Sequence, residues 1–173
     1  MAARRKKLYV VATFVALTIG SIFGGHIVVN EYHVRRAIAE VASLHGAVDD
    51  LSYPPRRVTF ALMGIDPTIT DSGFQRLLPY LASFGGLEEI DLSGTSVTAD
   101  GLKGIDGLKT LKRLDLPARC VAEPATESIA ALKLRVLYLY GGQVPGNAVA
   151  RLRRISPGTE IHVINRRWSQ PSP

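Results

Sequence analysis

The sequence predicts an α/β fold in which short strands and helices alternate along the chain and stack into a short solenoid. The first observation is a leucine ladder that occurs as LEEIDL at 87–92, LKRLDL at 111–116 and LRVLYL at 134–139. The second is that the repeat units align in register: a shift of 47 residues superposes seven apolar positions of the first unit on apolar positions of the third. Repeats of about 20 to 50 residues indicate stacked supersecondary units, whose surfaces usually bind other molecules.

Charge and length narrow the classes of function. The 173 residues allow one domain of ordinary size with extensions. The net charge of +6 is concentrated in the RRKK run at 4–7, since from Glu31 onward 17 basic residues stand against 15 acidic ones. With Trp168 as its only tryptophan, the near-neutral repeat region lacks the basic groove with interleaved aromatics that single-strand binders use. We therefore expect no nucleic-acid partner.

The single cysteine, Cys120, excludes a disulfide within the chain and a zinc site made of paired cysteines. Its place inside the repeat favours a small buried side chain, with an intermolecular disulfide as the alternative. The sequence contains no metal-binding pair of histidines, no phosphate-binding glycine loop and no GxSxG motif. We expect no metal, no cofactor and no enzymatic activity.

The N-terminal part predicts a membrane anchor. Residues 1–7 form a basic tail, and residues 8–29 carry no charge when His26 is neutral; as a helix they would run about 33 Å, enough to cross a bilayer core. The positive residues before the span place the N-terminus in the cytoplasm and the repeat domain on the extracytoplasmic side. A cleaved signal peptide and a mitochondrial presequence are the alternatives, although the cleavage site is poor and the span is more uniformly apolar than a transit helix.

Gly20 and Gly24 form a GxxxG motif within this span. Such a face lets two membrane helices approach closely. A homodimer through the transmembrane helix is therefore an alternative to a monomeric anchor.

Residues 30–56 are predicted to form a capping helix and a linker. The segment 31–44 lacks glycine and proline, and its apolar residues follow helical spacing. The apolar seam comprises Ala37, Val41, Leu44, Val48 and Leu51. Gly46 is expected to end the helix in a left-handed conformation, after which residues 47–48 start a short strand. The helix should cover the first repeat, and the prolines at 54–55 mark the entry to the ladder.

The repeat domain is predicted over residues 57–165, and its first unit is degenerate, with Phe60 and Leu62 at the strand positions. Thr70 is expected to cap a helix that Pro79 shortens or kinks. The apolar face of that helix comprises Phe74, Leu77, Leu78 and Leu81.

The next unit has Thr98 in the same capping position, before a helix that three glycines make intrinsically weak. Ile161 and Val163 continue the ladder as a fourth, partial unit. Residues 166–173 form a polar tail.

The LxxLxL strands at a period of 23 to 24 residues, with GTSVTADGL between strand and helix, resemble leucine-rich repeat proteins. The resemblance is to the ribonuclease-inhibitor-like class, of the short membrane-anchored bacterial kind, and it covers residues 57–165. It implies a parallel sheet on the concave side, helices on the convex side and a role in protein interaction. The middle unit departs from the pattern, because Arg119 stands where Thr95 stands in the preceding unit and Thr126 where Leu102 stands. We expect an irregular turn there.

The candidate binding surface consists of the strand positions that alternate with the leucines, because these point away from the core and line the concave face. The three predicted rows are Glu88, Lys112, Arg135 and Thr159; then Glu89, Arg113, Val136 and Glu160; then Asp91, Asp115, Tyr138 and His162. Neighbouring strands lie about 4.8 Å apart, so opposite charges in the first two rows can pair.

The third row places Asp91 beside Asp115, which costs stability unless a cation relieves the repulsion. That cation comes either from a partner or from Arg113 or Arg135. Tyr138 with Tyr140 adds exposed aromatic area of the kind enriched in interfaces. The candidate binding residues are Asp91, Lys112, Arg113, Asp115, Arg135, Tyr138 and His162.

These observations predict a single-pass membrane protein whose repeat domain binds a protein or an envelope component through its concave sheet. One alternative is a structural subunit of a membrane complex without a separate ligand. The other is a soluble repeat domain released from a cleaved leader.

Overall fold

The described part of the chain forms one six-stranded sheet whose strands follow one another in sequence order. The computed structural model describes residues 31–49, 51–60, 69–123, 125–142, 144 and 146–165. The first two strands pair antiparallel and every later pair is parallel. The predicted α/β class is therefore confirmed, with a mostly parallel sheet.

The strands are short, and their inward residues are the predicted ladder. Their bounds are β1 Ala47–Val48, β2 Arg57–Thr59, β3 Glu89–Asp91, β4 Arg113–Pro117, β5 Val136–Tyr140 and β6 Glu160–Ile164. Ile90 pairs with Leu114, and Leu114 pairs with Leu137. All three side chains are buried, so the leucines of successive units form one continuous core.

Helices and tight turns connect the strands on the side of this core. The helices are α1 at 31–43, α2 Asp71–Ala82, α3 Ala125–Ala131 and α4 Gly146–Ile155, and the 3₁₀ turns are Asp100–Leu102, Ile105–Gly107 and Ala118–Cys120. Strand residues that alternate with the ladder lie on the other side of the sheet. We call that side the open face; it carries Arg57, Thr59, Glu89, Asp91, Arg113, Asp115, Val136, Tyr138, Tyr140, Glu160, His162 and Ile164.

Helix α1 packs antiparallel to α2, at the end of the sheet where the first unit stands. The Ser83 hydroxyl donates to the carbonyl of His33 at 3.4 Å, and the Arg36 guanidinium lies 5.3 Å from the centre of the Tyr80 ring. The side chains that α1 buries are Val34, Ala37 and Val41. The predicted cover over the first unit is therefore present in the structure.

The end of α1 differs from the prediction in two respects. The left-handed residue is His45, with φ of 56°, and not Gly46. Gly46 is needed for a different reason, because a Cβ atom there would overlap the ring of Phe60. Leu51 does not continue the apolar seam, since 94% of it is exposed.

Asp49 closes the loop that joins β1 to β2, in which Leu51 lies. Its Oδ1 accepts the backbone N–H of Arg56 at 2.8 Å and of Arg57 at 2.9 Å, and its Oδ2 accepts the Ser52 hydroxyl at 2.8 Å. Burial raises the pKa of Asp49, but these hydrogen bonds outweigh burial and hold the pKa below its ordinary value. The loop is thus fixed at its base while Leu51 stays in water.

Helix α2 begins as predicted, because the Thr70 side chain accepts the N–H of Gly73 at 3.5 Å. Its buried face includes Phe74, Leu77, Leu78 and Leu81, as predicted. Pro79 does not end the helix, which continues to Ala82 with the proline ring exposed. Of the first unit's strand positions, Phe60 is buried and Leu62 lies outside the described residues.

The prediction of a helix after Thr98 is wrong. The segment forms two 3₁₀ turns, Asp100–Leu102 and Ile105–Gly107. Gly104 between them has φ of 87°, a left-handed conformation that an α-helix does not contain. Thr98 does accept the N–H of Asp100, at 3.3 Å, so its capping role survives in the shorter turn.

The last strand is the least covered. Val163 is 38% exposed and Ile155 is 41% exposed, whereas the ladder residues of β4 and β5 are buried. Ile161 is only partly buried. The fourth unit predicted at Ile161 and Val163 therefore exists as a strand. Among the described residues, no further element covers the apolar side chains of this strand completely.

The predicted tail at 1–7, the predicted span at 8–29 with Gly20 and Gly24, and the C-terminal tail at 166–173 lie outside the described residues. Within the described part of the chain, no helix has the length and apolar character needed to cross a membrane.

Candidate binding surface

The strand register brings the predicted third row together on the open face. Asp91 is paired with Asp115, Asp115 with Tyr138, and Tyr138 with His162. Arg113 lies in the adjacent row of the same face. The predicted neighbours are therefore confirmed as neighbours.

The first predicted row lies just before the strands, at the N-terminal edge of the sheet. The Lys112 ammonium is 2.8 Å from Glu88 Oε1, which confirms the predicted pairing of opposite charges in this row. The hydrogen bond from Lys112, with the charges of Arg56 and Arg135, lowers the pKa of Glu88. Arg135 itself is exposed.

The second row pairs differently from the prediction. Glu89 lies opposite Arg113, as predicted, but its ion pair is with Arg57 of the degenerate first unit, whose Nε is 2.6 Å from Glu89 Oε2. Arg57 occupies this position because β2 continues the same register toward the N-terminus. Arg113 is consequently available to pair with a carboxylate of the third row.

Arg113 relieves the repulsion between Asp91 and Asp115. Its Nε and Nη2 lie 2.9 Å and 2.8 Å from the two carboxylate oxygens of Asp115, a bidentate pair. The hydrogen bond to Asp115 raises the pKa of Arg113 further above its ordinary value. Tyr140 adds a weaker hydrogen bond, its hydroxyl donating to Asp115 Oδ2 at 3.4 Å.

Asp91 is satisfied separately. Its Oδ1 accepts the N–H of Ser93 at 2.9 Å, and its Oδ2 lies 3.5 Å from the Thr59 hydroxyl. The repulsion between the two aspartates was predicted to be relieved either by a partner or by an arginine of the chain, and the structure shows the arginine. Asp115 is 2% exposed, so it supports the surface from below and offers little of itself to a partner.

A stack of planar side chains crosses the open face above Asp115. The Arg113 guanidinium lies 4.6 Å from the centre of the Tyr138 ring, and the His162 ring stacks on Tyr138 at 4.8 Å with an angle of 15°. The rings of Tyr138 and Tyr140 are 6.2 Å apart, and His162 Nε2 lies 2.9 Å from Glu160 Oε1. Tyr138 is therefore held in place on two sides.

Three further residues of this surface are not among the seven candidate binding residues, although the sequence predicts Val136 in the second row and Tyr140 beside Tyr138. Val136 and Tyr140 flank Tyr138 on β5, and Ile164 is paired with Tyr140 on β6. All of them are partly exposed. The alternation within VLYLY is the signal that finds Val136 and Tyr140. We call the partly exposed group on β5 and β6 the aromatic platform; it consists of Val136, Tyr138, Tyr140, His162 and Ile164.

The irregular turn predicted in the middle unit is confirmed, as a single 3₁₀ turn directly after β4. The Arg119 guanidinium donates to the carbonyls of Thr95 and Val97 of the preceding unit, and Cys120 Sγ lies 3.2 Å from the same Val97 carbonyl. Cys120 is fully buried, and this burial raises its thiol pKa to about 12. The prediction that Cys120 is a small buried side chain is confirmed, and the alternative of an intermolecular disulfide is incompatible with this burial.

Among the described residues, no cluster of histidine, cysteine or acidic side chains is arranged to hold a metal ion. The open face offers paired charges on β2 to β4 and partly exposed aromatic and aliphatic groups on β5 and β6.

Comparison of the chain with protein-family models and with curated proteins found no match.

Proposed function

We propose that this chain is a leucine-rich repeat protein of the ribonuclease-inhibitor-like class and that its open face is the concave binding face. The observation that carries the binding function is the aromatic platform. Tyrosine and other aromatic side chains are enriched in the cores of protein interfaces, where they contribute much of the affinity. A partly exposed group of them beside charges already paired within the chain is the surface best suited to a partner.

The architecture supports the repeat assignment. Strands β3 to β6 begin at intervals of 23 to 24 residues and pair in parallel in sequence order, and β3 to β5 bury equivalent leucine or isoleucine side chains. The connections that return the chain lie on the opposite side of the sheet. This is the arrangement expected of stacked units that each contact their neighbours.

The platform is organised before any partner binds. Tyr138 is packed between Arg113 and His162, and Arg113 is fixed in turn by Asp115. A side chain that is already ordered loses less conformational entropy on association, so more of its buried area appears as affinity. The partner chemistry that fits is an apolar or aromatic side chain, with polar groups able to reach the exposed guanidinium of Arg135.

We propose that the partner is a protein or an envelope component and that the chain is not an enzyme. We further propose that residues 8–29 anchor it in a membrane as a single span, with the N-terminus cytoplasmic and the repeats extracytoplasmic. Gly20 and Gly24 offer a face for pairing two such spans. The rival function is that of a structural subunit whose contacts run through the span and the helices.

The test is retention of a crosslinked partner in native membranes by full-length variants. Tyr138→Ala removes the centre of the platform, and its partner affinity should fall at least tenfold, the effect typical of a buried aromatic anchor. The matched control is Arg57→Ala on the same face, which removes an exposed ion pair and should leave the partner bound. Unfolding curves of both variants establish that the fold is intact.

Tyr138→Phe keeps the ring and should retain the partner. If the partner stays with Tyr138→Ala and is lost with Gly20→Leu or Gly24→Leu, the structural-subunit function replaces the binding function.

A further inference from the structure

The N-terminal edge of the sheet concentrates positive charge. We call it the basic edge, and its basic residues are Arg56, Lys109, Lys112, Lys133, Arg135, Arg153 and Arg154. Arg153 and Arg154 lie in the last turn of α4, which leads into β6. The acidic side chains near this edge are Glu88, which pairs with Lys112; Asp49, whose carboxylate accepts the backbone N–H groups of Arg56 and Arg57; Glu31, which pairs with Arg35; and Asp106. Basic groups thus clearly outnumber acidic ones there.

The topology explains why these charges gather. Arg56, Lys112 and Arg135 directly precede β2, β4 and β5, while Lys109 and Lys133 lie in the turns that lead into β4 and β5. The N-terminal ends of parallel strands meet at one edge of a sheet, so these residues share that edge. Lys109, Lys112 and Lys133 line one open depression of ≈ 650 Å³.

Exposed apolar side chains accompany the charges at the end of this edge that β2 forms. Tyr32 is 61% exposed, Tyr53 is 60% exposed and Leu51 is 94% exposed. Leu51 and Tyr53 belong to the loop that enters β2, and Tyr32 stands next to His33, whose carbonyl meets Ser83 at the end of α2. That end of α2 also lies at the N-terminal edge, because the chain passes from there into β3.

The opposite edge of the sheet differs. There Arg151 contacts both Glu123 and Glu127, and the Lys103 ammonium is 2.8 Å from Asp100. These basic side chains are matched by acids, so among the residues that the structure describes only the N-terminal edge is strongly basic. A directional charge of this kind orients a molecule against a charged surface.

We propose that the basic edge docks on the surface of an anionic lipid bilayer. Lysine and arginine side chains are attracted to anionic headgroups, and tyrosine and leucine are stabilised where headgroups meet acyl chains. Leu51 favours a bilayer over a soluble polyanion, because almost all of its surface is in water and it gains by leaving water. Helix α1 begins at this same edge, so the proposed anchor would hold the edge beside the bilayer; the docking itself does not depend on that anchor.

The test places a fluorescent probe at the basic edge of the full-length chain. Ala131→Cys lies exposed in the depression with Lys109, Lys112 and Lys133 and leaves all of their charges in place. Ser96→Cys carries the probe at the opposite edge as the matched control. The native Cys120 is buried and does not compete for the label. The probe is environment-sensitive and is read with quencher-labelled lipid.

The chain is incorporated in vesicles of phosphatidylcholine alone or with phosphatidylserine added. We expect the probe at position 131 to shift to shorter wavelength and to be quenched with phosphatidylserine present, and to stay in water with phosphatidylcholine alone. The probe at position 96 should stay in water in both. Raising the salt concentration should reverse the response, because screening weakens attraction between exposed charges.

Charge variants measure the contribution of the edge. Removing one positive charge, with Lys109→Gln or Lys133→Gln, should lower the ratio of docked to undocked protein about fivefold, and removing both should lower it about 25-fold. Lys103→Gln at the opposite edge removes the same charge and should have no effect. Leu51→Ser should weaken docking without changing the net charge.

Three results would overturn the proposal. One is a probe at position 131 that responds equally to both lipid compositions. Another is an equal response at positions 131 and 96. The third is a response at position 131 to soluble heparin but not to phosphatidylserine vesicles, which would assign the edge to a polyanion.

Discussion

Arg113 joins the buried and exposed parts of the open face. Its guanidinium binds both oxygens of the buried Asp115 and at the same time lies against the Tyr138 ring. Arginine suits this position because its planar fork matches a carboxylate and its face stacks on an aromatic ring. A lysine at this position would supply the charge without the geometry.

We predict that Arg113→Met lowers the free energy of unfolding by about 2–4 kcal/mol, because it leaves the Asp115 carboxylate buried beside Asp91 without a cation. The matched control is Arg57→Met, which breaks an exposed pair with Glu89 and should cost less than about 1 kcal/mol. Urea unfolding of both variants provides the measurement. Equal losses would mean that Asp115 is solvated in solution.

Asp49 gives the chain a pH dependence. Its pKa is lower in the folded state, so it stabilises the fold above the ordinary carboxyl value of 3.8 and loses that contribution as the pH falls through the folded-state value. We predict that Asp49→Asn is less stable than the wild type by about 1 kcal/mol at pH 7, and that the difference closes below pH 3.8.

Thermal or urea unfolding between pH 2 and about 7 measures this difference. Asp106→Asn removes the same charge outside the loop and controls for the change in net charge. A difference between Asp49→Asn and the wild type that persists unchanged in acid would contradict the assigned cause.

At the scale of elements, units are joined by side chains as well as by strands. Asp71 at the start of α2 accepts the backbone N–H of Thr98 at 2.6 Å and the Thr98 hydroxyl at 2.7 Å. Arg119 and Cys120 make the corresponding link from the third turn to Thr95 and Val97. Each turn is therefore fastened to the unit before or after it, which compensates for the weak helical propensity of the second unit.

Gly101 makes the first of these links possible, because a Cβ atom there would overlap the Asp71 carboxylate and lie 2.8 Å from Val97 Cγ1. We predict that Gly101→Ala destabilises the chain by about 1–3 kcal/mol. Gly107→Ala, where nothing lies within 4 Å, should be neutral or slightly stabilising. Free energies of unfolding decide the comparison, and an unchanged value for Gly101→Ala would show that Asp71 moves aside readily.

The elements differ in how far the sequence predicts them. The leucine positions of β3 to β6 repeat at fixed intervals, and since side chains alternate along a strand, their register and the neighbours of Tyr138 follow directly. The apolar residues after Thr98 have the spacing of a helix, but glycines let the segment form tighter turns. The spacing of apolar residues alone does not distinguish these turns from a helix.

Contacts between distant side chains escape prediction for a related reason. Leu51 lies in a loop that is closed by hydrogen bonds from the backbone N–H groups of Arg56 and Arg57 to the Asp49 carboxylate, and these follow no period. The choice of Arg57 as partner for Glu89 required knowing that β2 extends the register. Arg113 was one of two cations that the sequence allowed for Asp115, and the distances select it.

At the scale of the whole molecule, the two ends of the sheet are unequal. The first end is covered by α1 and closed by the short antiparallel β1, whereas β6 leaves Val163 and Ile155 partly in water among the described residues. In a stack of units, stability depends on contacts with both neighbours, so a unit with one neighbour opens more readily.

We predict that the backbone amides of β6 exchange with solvent deuterium faster than those of β4 and β5. Hydrogen exchange of the full-length chain, read by mass spectrometry or nuclear magnetic resonance, measures this gradient. Uniform protection across the three strands would mean that the sheet opens as one cooperative unit.

The sequential order of the strands also bears on how the molecule is made. Among the described strands, each one from β2 to β6 pairs with the strand that precedes it along the chain, so none of these five waits for a later strand to be synthesised. As the ribosome releases each unit, the edge that receives it already exists, and α1 is synthesised before the first parallel strand. Growth in this direction keeps the leucines of an unfinished chain exposed for one unit at a time.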